Sequence, residues 1–197
     1  VKSANELSAR RKAAALTLDS QVMAELPPLK MEKARFVTVI EKLDENGWNE
    51  HGFDNVYFTV ATNPNSPQGP INKIASGGEL ARFMLALKVN LAQSSAVSTM
   101  IFDEVDAGVG GATAQAVGER LARLAHDVQV LVVTHSPQVA SKGDNHFKVE
   151  KNTVDNVTTT SVRELDDLER HEEIARMLAG EKITDEARAA ARVLIGA

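Results

Sequence analysis

Two neighbouring acids, Asp103 and Glu104, close an apolar run, TMIFDE at 99–104. A buried strand made from such a run carries both carboxylates to its carboxyl end, at the rim of a sheet. There one carboxylate can hold Mg²⁺, usually through waters, and the next can orient or deprotonate an attacking water. The pair fits equally a strand that ends in solvated acids. A second apolar run, VQVLVVTH at 128–135, delivers His135 in the same manner. A histidine so placed can donate a hydrogen bond to a phosphate oxygen and titrate near neutrality, or it can be structural. A third stretch, SGGE, sets Ser76, Gly77, Gly78 and Glu79 at the doorway of an amphipathic segment. Glycine inside a helix costs about 1 kcal/mol against alanine, but at the amino end it leaves backbone N–H groups bare for an anion such as phosphate. Ser76 and Glu79, three apart, also suit a capping box. From Ser76 to Asp103 is 27 residues and from Asp103 to His135 is 32, each enough for one helix plus one strand.

The elements that must carry these groups are legible from periodicity. Residues 1–26 read as a helix, with Leu7, Ala14, Leu18, Val22 and Leu26 as a thin apolar stripe that Pro27 and Pro28 stop. The stripe suits the last turns of a coiled coil or an ordinary surface helix. Ala34–Ile40 and Val56–Val60 alternate like strands around the turn-rich DENGWNEHGFDN, which predicts an antiparallel hairpin. The stretch 62–72 reads as loop. From Ser76 onward helix and strand alternate: a helix over about 77–93 with Leu80, Phe83, Met84 and Leu87 on one face, a strand at 99–104, the glycine-rich turn VDAGVGG, a helix at 112–126 and a strand at 128–135. Two more strands, joined through NTVDN, and two closing helices follow, 166–179 with Gly180 as C-cap and 184–195 with Thr184 as N-cap. The pattern predicts an α/β fold with a parallel sheet, flanking helices and an antiparallel hairpin near the start.

Composition narrows the partners. The 197 residues suit one domain, or one with an appendage; 43% are hydrophobic but only 4% aromatic, so Val, Leu, Ile and Ala must build the core. A net charge of −5 argues against a surface basic throughout, as a DNA-coating module would have. There is no cysteine, hence no disulfide and no cysteine-bound zinc. No apolar run approaches a membrane span and no signal peptide is visible. No glycine is followed by lysine, so the G-x-x-x-x-G-K-[S/T] phosphate loop is missing. With Val1 in place of an initial Met, a fragment of a longer chain is expected.

Taken jointly, ASGGELARFMLALK, IFDEVDAGVGG and VLVVTHSPQVASKGDNHFKVEK resemble the carboxyl-terminal lobe of an ABC-type ATPase head and, within that group, the SMC-related RecN family of DNA-repair ATPases. The likeness is close over about residues 73–151; Ala75 and Glu79 stand where transporter signatures usually carry Leu and Gln. The resemblance implies ATP and Mg²⁺ as cofactors, with Asp103 at the metal, Glu104 as general base or water-positioning residue and His135 as the switch at the γ-phosphate. Ser76, Gly77, Gly78 and Glu79 would be the signature, meeting nucleotide on the opposite head, and Asp106 the D-loop residue coupling the two sites. It further implies residues 1–28 as the end of a coiled-coil helix and 29–197 as the head lobe. The expected partners are an amino-terminal lobe carrying the Walker A loop, a second head engaged through ATP, and DNA in the full-length protein, with no membrane. The expected setting is a cytoplasmic, nucleoid-associated ATPase in recombinational double-strand break repair, inactive as this segment alone. The alternatives are a fragment of an ABC transporter nucleotide-binding subunit and a non-catalytic DNA- or partner-interaction module.

Overall fold

The computed structural model describes residues 1–73, 77–92, 97–154, 157–180 and 182–196. The chain forms two compact units, Val1–Ser98 and Thr99–Ala197.

The first unit is a helix laid on a hairpin. Helix α1 (Lys2–Glu25) gives way at Pro27–Leu29 to a 3-10 turn, as proline's missing N–H and fixed φ require. Its buried positions are Ser8, Ala15 and Val22, seven apart. The buried stripe therefore differs from the expected one: Ala14 is exposed, and Leu7 and Leu18 are half-buried. Strands β1 (Arg35–Lys42) and β2 (Asp54–Ala61) pair antiparallel from Arg35 opposite Ala61 to Lys42 opposite Asp54, and α1 packs against β1. The hairpin's tip closes on its own aromatic pair, Trp48 and Phe53, with the indole N–H donating to the Leu43 carbonyl at 3.0 Å. Polar bonds fasten the helix to the hairpin. Ser8 Oγ and Arg11 Nη1 donate to the two oxygens of Asp54 at 2.9 and 3.0 Å. The Thr38 N–H and hydroxyl both donate to Asp19 Oδ1 at 2.9 and 2.7 Å. The expected loop at 62–72 holds a two-residue strand, β3 (Gly69–Pro70), paired with β2, and leads into a 3-10 turn at Ile71–Lys73. Helix α2 (Gly77–Leu91) buries Phe83, Leu85, Ala86 and Leu87. Met84, expected on the buried face, is exposed, because the apolar arc of this helix is wider than one stripe and turns towards Leu85 and Ala86.

The second unit is built around a parallel pair. Strands β4 (Thr99–Asp103) and β5 (Gln129–Val133) run parallel, from Thr99 opposite Gln129 to Asp103 opposite Val133. Helix α3 (Gly111–Ala125) connects them, buries Ala114, Val117, Leu121 and Leu124, and packs against β5. A one-turn helix, α4 (Pro137–Ala140), follows β5 directly. Strands β6 (Phe147–Val154) and β7 (Val157–Glu164) form an antiparallel hairpin. Helices α5 (Asp167–Ala179) and α6 (Asp185–Ile195) close the chain around Ile174, Ala175 and Ala191, which are fully buried. The expected caps are present: Gly180 ends α5 at φ 77°, and the Thr184 hydroxyl accepts from the Ala187 N–H at 3.3 Å.

Candidate functional site

Both strands of the parallel pair end one residue or two earlier than the sequence runs suggest, so Glu104, Thr134 and His135 lie just past them, on the turns. The pairing puts those turns side by side, because Asp103 stands opposite Val133. Asp103, Glu104 and His135 are exposed and share this rim, whereas Asp106 is only 1% exposed.

The turn after β4 is held in an uncommon conformation. Glu104 has φ 49°, in the left-handed region that a residue with a Cβ seldom occupies. Its N–H still donates to the Val133 carbonyl at 3.2 Å, while its own carbonyl accepts from Ala107 at 2.9 Å. The backbone thus leaves β4 with one last bond to β5 and reverses at once. Two residues later Asp106 points inward. The Thr134 hydroxyl donates to Asp106 Oδ2 and accepts from the Ser136 N–H at 2.9 Å. The second oxygen, Asp106 Oδ1, is buried without a hydrogen-bond partner among the described residues.

Behind the rim the packing is close. A Cβ on Gly118 of α3 would lie 3.0 Å from the Gln138 carbonyl and 3.2 Å from the Val139 Cα, so only glycine lets α4 approach α3 this closely. From α5, the Arg170 guanidinium donates to the Ser141 carbonyl at 3.0 Å, fixing the far end of α4. His146, near that cation, has its pKa pushed down by burial, with Glu173 opposing the shift and Arg170 adding to it.

One face of the parallel pair is open. Thr99, Ile101 and Asp103 of β4, and Gln129, Leu131 and Val133 of β5, are exposed in cross-strand pairs, with Ile101 at 70% and Val133 at 58%. Parallel strands are ordinarily covered on both faces.

The residues expected as the signature belong to the other unit. Gly77 opens α2 and is exposed, with nothing within 4 Å of where a Cβ would stand; Gly78 and Glu79 follow in the first turn, half-buried. Burial lowers the pKa of the Arg82 guanidinium one turn on, and the Glu79 charge opposes that shift. Ser76, and with it the expected capping box, lies outside the described residues.

No group of three or more His, Asp or Glu able to hold a metal occurs among the described residues. The donors at the rim are carboxylate oxygens, which suit Mg²⁺ when phosphate oxygens and waters complete its shell. Sequence reasoning missed Thr134, Gly118 and the left-handed Glu104. A threonine beside a candidate histidine was the available signal for the first; the others depend on tertiary contacts and a backbone angle.

Comparison with known proteins finds relatives along nearly the whole chain. The chain is 46% identical over 191 residues to a DNA repair protein RecN of Rickettsia bellii, an alignment covering 96% of this chain and 34% of that protein. It is 43% identical over 192 residues to a RecN of Xylella fastidiosa, covering 98% and 34%. The chain is thus similar to RecN proteins over nearly all of its own length. It spans about a third of the length of the RecN proteins it matches. No protein-family profile matches it. In fold it is similar to the Smc head domain with a coiled coil and joint from Pyrococcus yayanosii, at TM-score 0.59 and 16% identity over 84% of this chain and 29% of that one. A Smc head from Pyrococcus furiosus, bound to the C-terminal domain of ScpA, matches at TM-score 0.55 and 18% identity over 86% and 39%. The chain is therefore α/β with the SMC-head fold, and the likeness to RecN proteins over nearly all of it leaves the transporter alternative without support.

Proposed function

We propose that this chain is the carboxyl-terminal lobe of a RecN ATPase head, working by ATP-dependent head engagement in the recombinational repair of DNA double-strand breaks. The observation that carries the reading is the rim itself: parallel pairing brings Asp103, Glu104 and His135 to the carboxyl ends of adjacent strands, where nucleotide chemistry is placed in α/β sheets. The missing phosphate loop means that the triphosphate must be cradled largely by another lobe, and the relatives are about three times as long as this chain. The open face at Ile101, Leu131 and Val133 supports an amino-terminal lobe docking there.

In this reading Asp103 holds Mg²⁺ together with phosphate oxygens and waters; the ion supplies charge neutralisation at the phosphates. Glu104 orients the attacking water and accepts or polarises its proton at a carboxylate oxygen. Its left-handed backbone turns the chain immediately after β4, which leaves Glu104 on the rim. His135 donates a hydrogen bond to a γ-phosphate oxygen. Ser76, Gly77 and Gly78 offer N–H groups, and Glu79 the first-turn carboxylate, at the signature helix that meets nucleotide bound on a second head. Asp106 couples the two sites. Residues 1–28 are the end of the coiled coil, and DNA is engaged by the full-length protein; this segment alone binds ATP weakly and does not turn it over. No described helix is long and apolar enough to cross a membrane.

The test is Glu104→Gln in the full-length protein. The amide keeps the shape and loses the basicity, so turnover is expected to fall several hundred-fold, while ATP binding persists and the ATP-bound pair of heads accumulates. ATP hydrolysis at the parental rate would show that the base lies elsewhere.

A further inference from the structure

We propose that Thr134 is a positioning residue for His135, tying the switch turn to the turn after β4 through the buried carboxylate of Asp106; this rests on the hydrolytic reading above. The His135 imidazole is exposed, and no hydrogen bond among the described residues holds it. What is held is the backbone on either side. Thr134 uses its single hydroxyl twice, donating to Asp106 Oδ2 and accepting from the Ser136 N–H at 2.9 Å. The residues before and after His135 are thereby locked to one anchor, and Ser136, itself buried, then starts α4. Threonine suits the task, since its β-branched side chain has few χ1 choices and its hydroxyl serves as donor and acceptor together. The anchor is costly. A carboxylate 1% exposed, with its second oxygen unpartnered among the described residues, is far from the cheapest filling for that site. It earns its place if the Glu104 turn and the His135 turn have to keep a fixed spacing. In that case the coupling attributed to Asp106 begins inside its own lobe, through the switch turn.

The experiment measures Mg-ATP turnover of the full-length protein with six variants. Thr134→Val removes the hydroxyl and should lower kcat ten- to a hundredfold with KM changed less than about threefold, as expected when a reacting group is displaced by a fraction of an ångström to an ångström. Thr134→Ser restores both bonds and should return kcat to within about threefold of the parent. In a His135→Ala background, Thr134→Val should cost less than about threefold more, because the two act as one unit. Thr134→Val orphans a buried carboxylate and can unfold the lobe, so Asp106→Leu/Thr134→Val, which removes both partners, is measured with it. This double variant should melt near the parental temperature and still turn over slowly. A parental kcat in Thr134→Val or in the double variant, failure of the serine to rescue, or an undiminished effect in the His135→Ala background each overturns the proposal. Glu104→Gln is the internal reference: if it turns over normally, the hydrolytic reading falls and this inference with it. If it is inactive while Thr134→Val is parental, only the inference falls.

Discussion

The rim beside β4 and β5 and the closing pair α5–α6 are made of the same materials, carboxylates, hydroxyls and helix ends, yet they spend them differently. At α5 the Asp166 carboxylate accepts from the Glu169 N–H at 2.8 Å and the Glu169 carboxylate accepts in return from the Asp166 N–H at 3.1 Å, a complete capping box. Surface charge there is matched as well, Arg188 with Glu172 at 2.7 Å and Arg163 with Glu169 at 2.6 Å. At the rim, α3 starts from Gly110 with no side-chain cap, and Asp103 and Glu104 make no ion pair among the described residues. Around the closing pair these carboxylates find their partners on the chain itself. The rim fixes its backbone, through the Glu104 turn and the Thr134–Asp106 bond, and leaves the charged ends facing outward. Groups of the first kind contribute to stability; groups of the second kind are placed for something that comes from outside.

The largest expected effect breaks the contrast on the outward side. Ser76→Arg in the full-length protein should leave ATP binding to a single head nearly intact and abolish ATP-driven pairing of heads and hydrolysis, because the side chain obstructs docking of a second molecule. Its cost to the fold is small: about 0.3–1 kcal/mol for a cation at a helix amino end and, on the capping box expected from the sequence, about 1 kcal/mol for a lost serine cap. Single-head ATP affinity, melting temperature and ATP-dependent dimerisation are read on the same protein; normal dimerisation would leave Ser76 to Gly78 as a helix start and nothing more.

The reverse outcome is expected on the inward side. Asp166→Ala removes the side-chain half of the capping box, the bond accepted from the Glu169 N–H, and should lower stability by about 1 kcal/mol with ATP turnover unchanged. A fall in turnover greater than the loss of folded protein explains would show that the closing pair takes part in the chemistry.

The smallest effect is one of pH. Burial holds the folded-state pKa of His146 below its ordinary value, Arg170 adding to this and Glu173 opposing it. The neutral form is thus favoured in the folded chain, so the stability it contributes is present above about pH 6.5 and declines as pH falls below that value. For Glu173, burial pushes the pKa up, but Arg176 and Lys148 outweigh it and the net shift is downward, so its contribution is lost only at more acid pH. His146→Gln should therefore flatten the fall in melting temperature between pH 7 and pH 5; an unchanged slope would exclude His146 as its source.

What the sequence revealed follows from which forces are local. The hairpin was legible because Phe36, Thr38 and Ile40 alternate with Val37 and Val39 and turn residues bound the run. The strands at Asp103 and His135 were legible as short apolar runs between helices, and Thr184 and Gly180 as caps by type and place. The buried face of α1 was not, because it is set by the hairpin beneath it: Ser8 is buried for its bond to Asp54, 46 positions along the chain, and no apolar pattern marks a serine. The pairing of Thr134 with Asp106 is not legible in the sequence, because a bond between two turns leaves no periodic trace. Helix α4 is too short to show a period at all.

The two fastenings of α1 have a mechanical consequence. Asp54 grips Ser8 and Arg11, and Asp19 grips the Thr38 backbone, at points eight residues apart from Arg11 to Asp19, about 12 Å along the helix axis. One such point would act as a pivot; two, on different strands, remove both axial slip and rolling. A twist applied to the outer end of α1 therefore cannot dissipate by rotation of the helix on the sheet, and is delivered to β1 and β2 as torque.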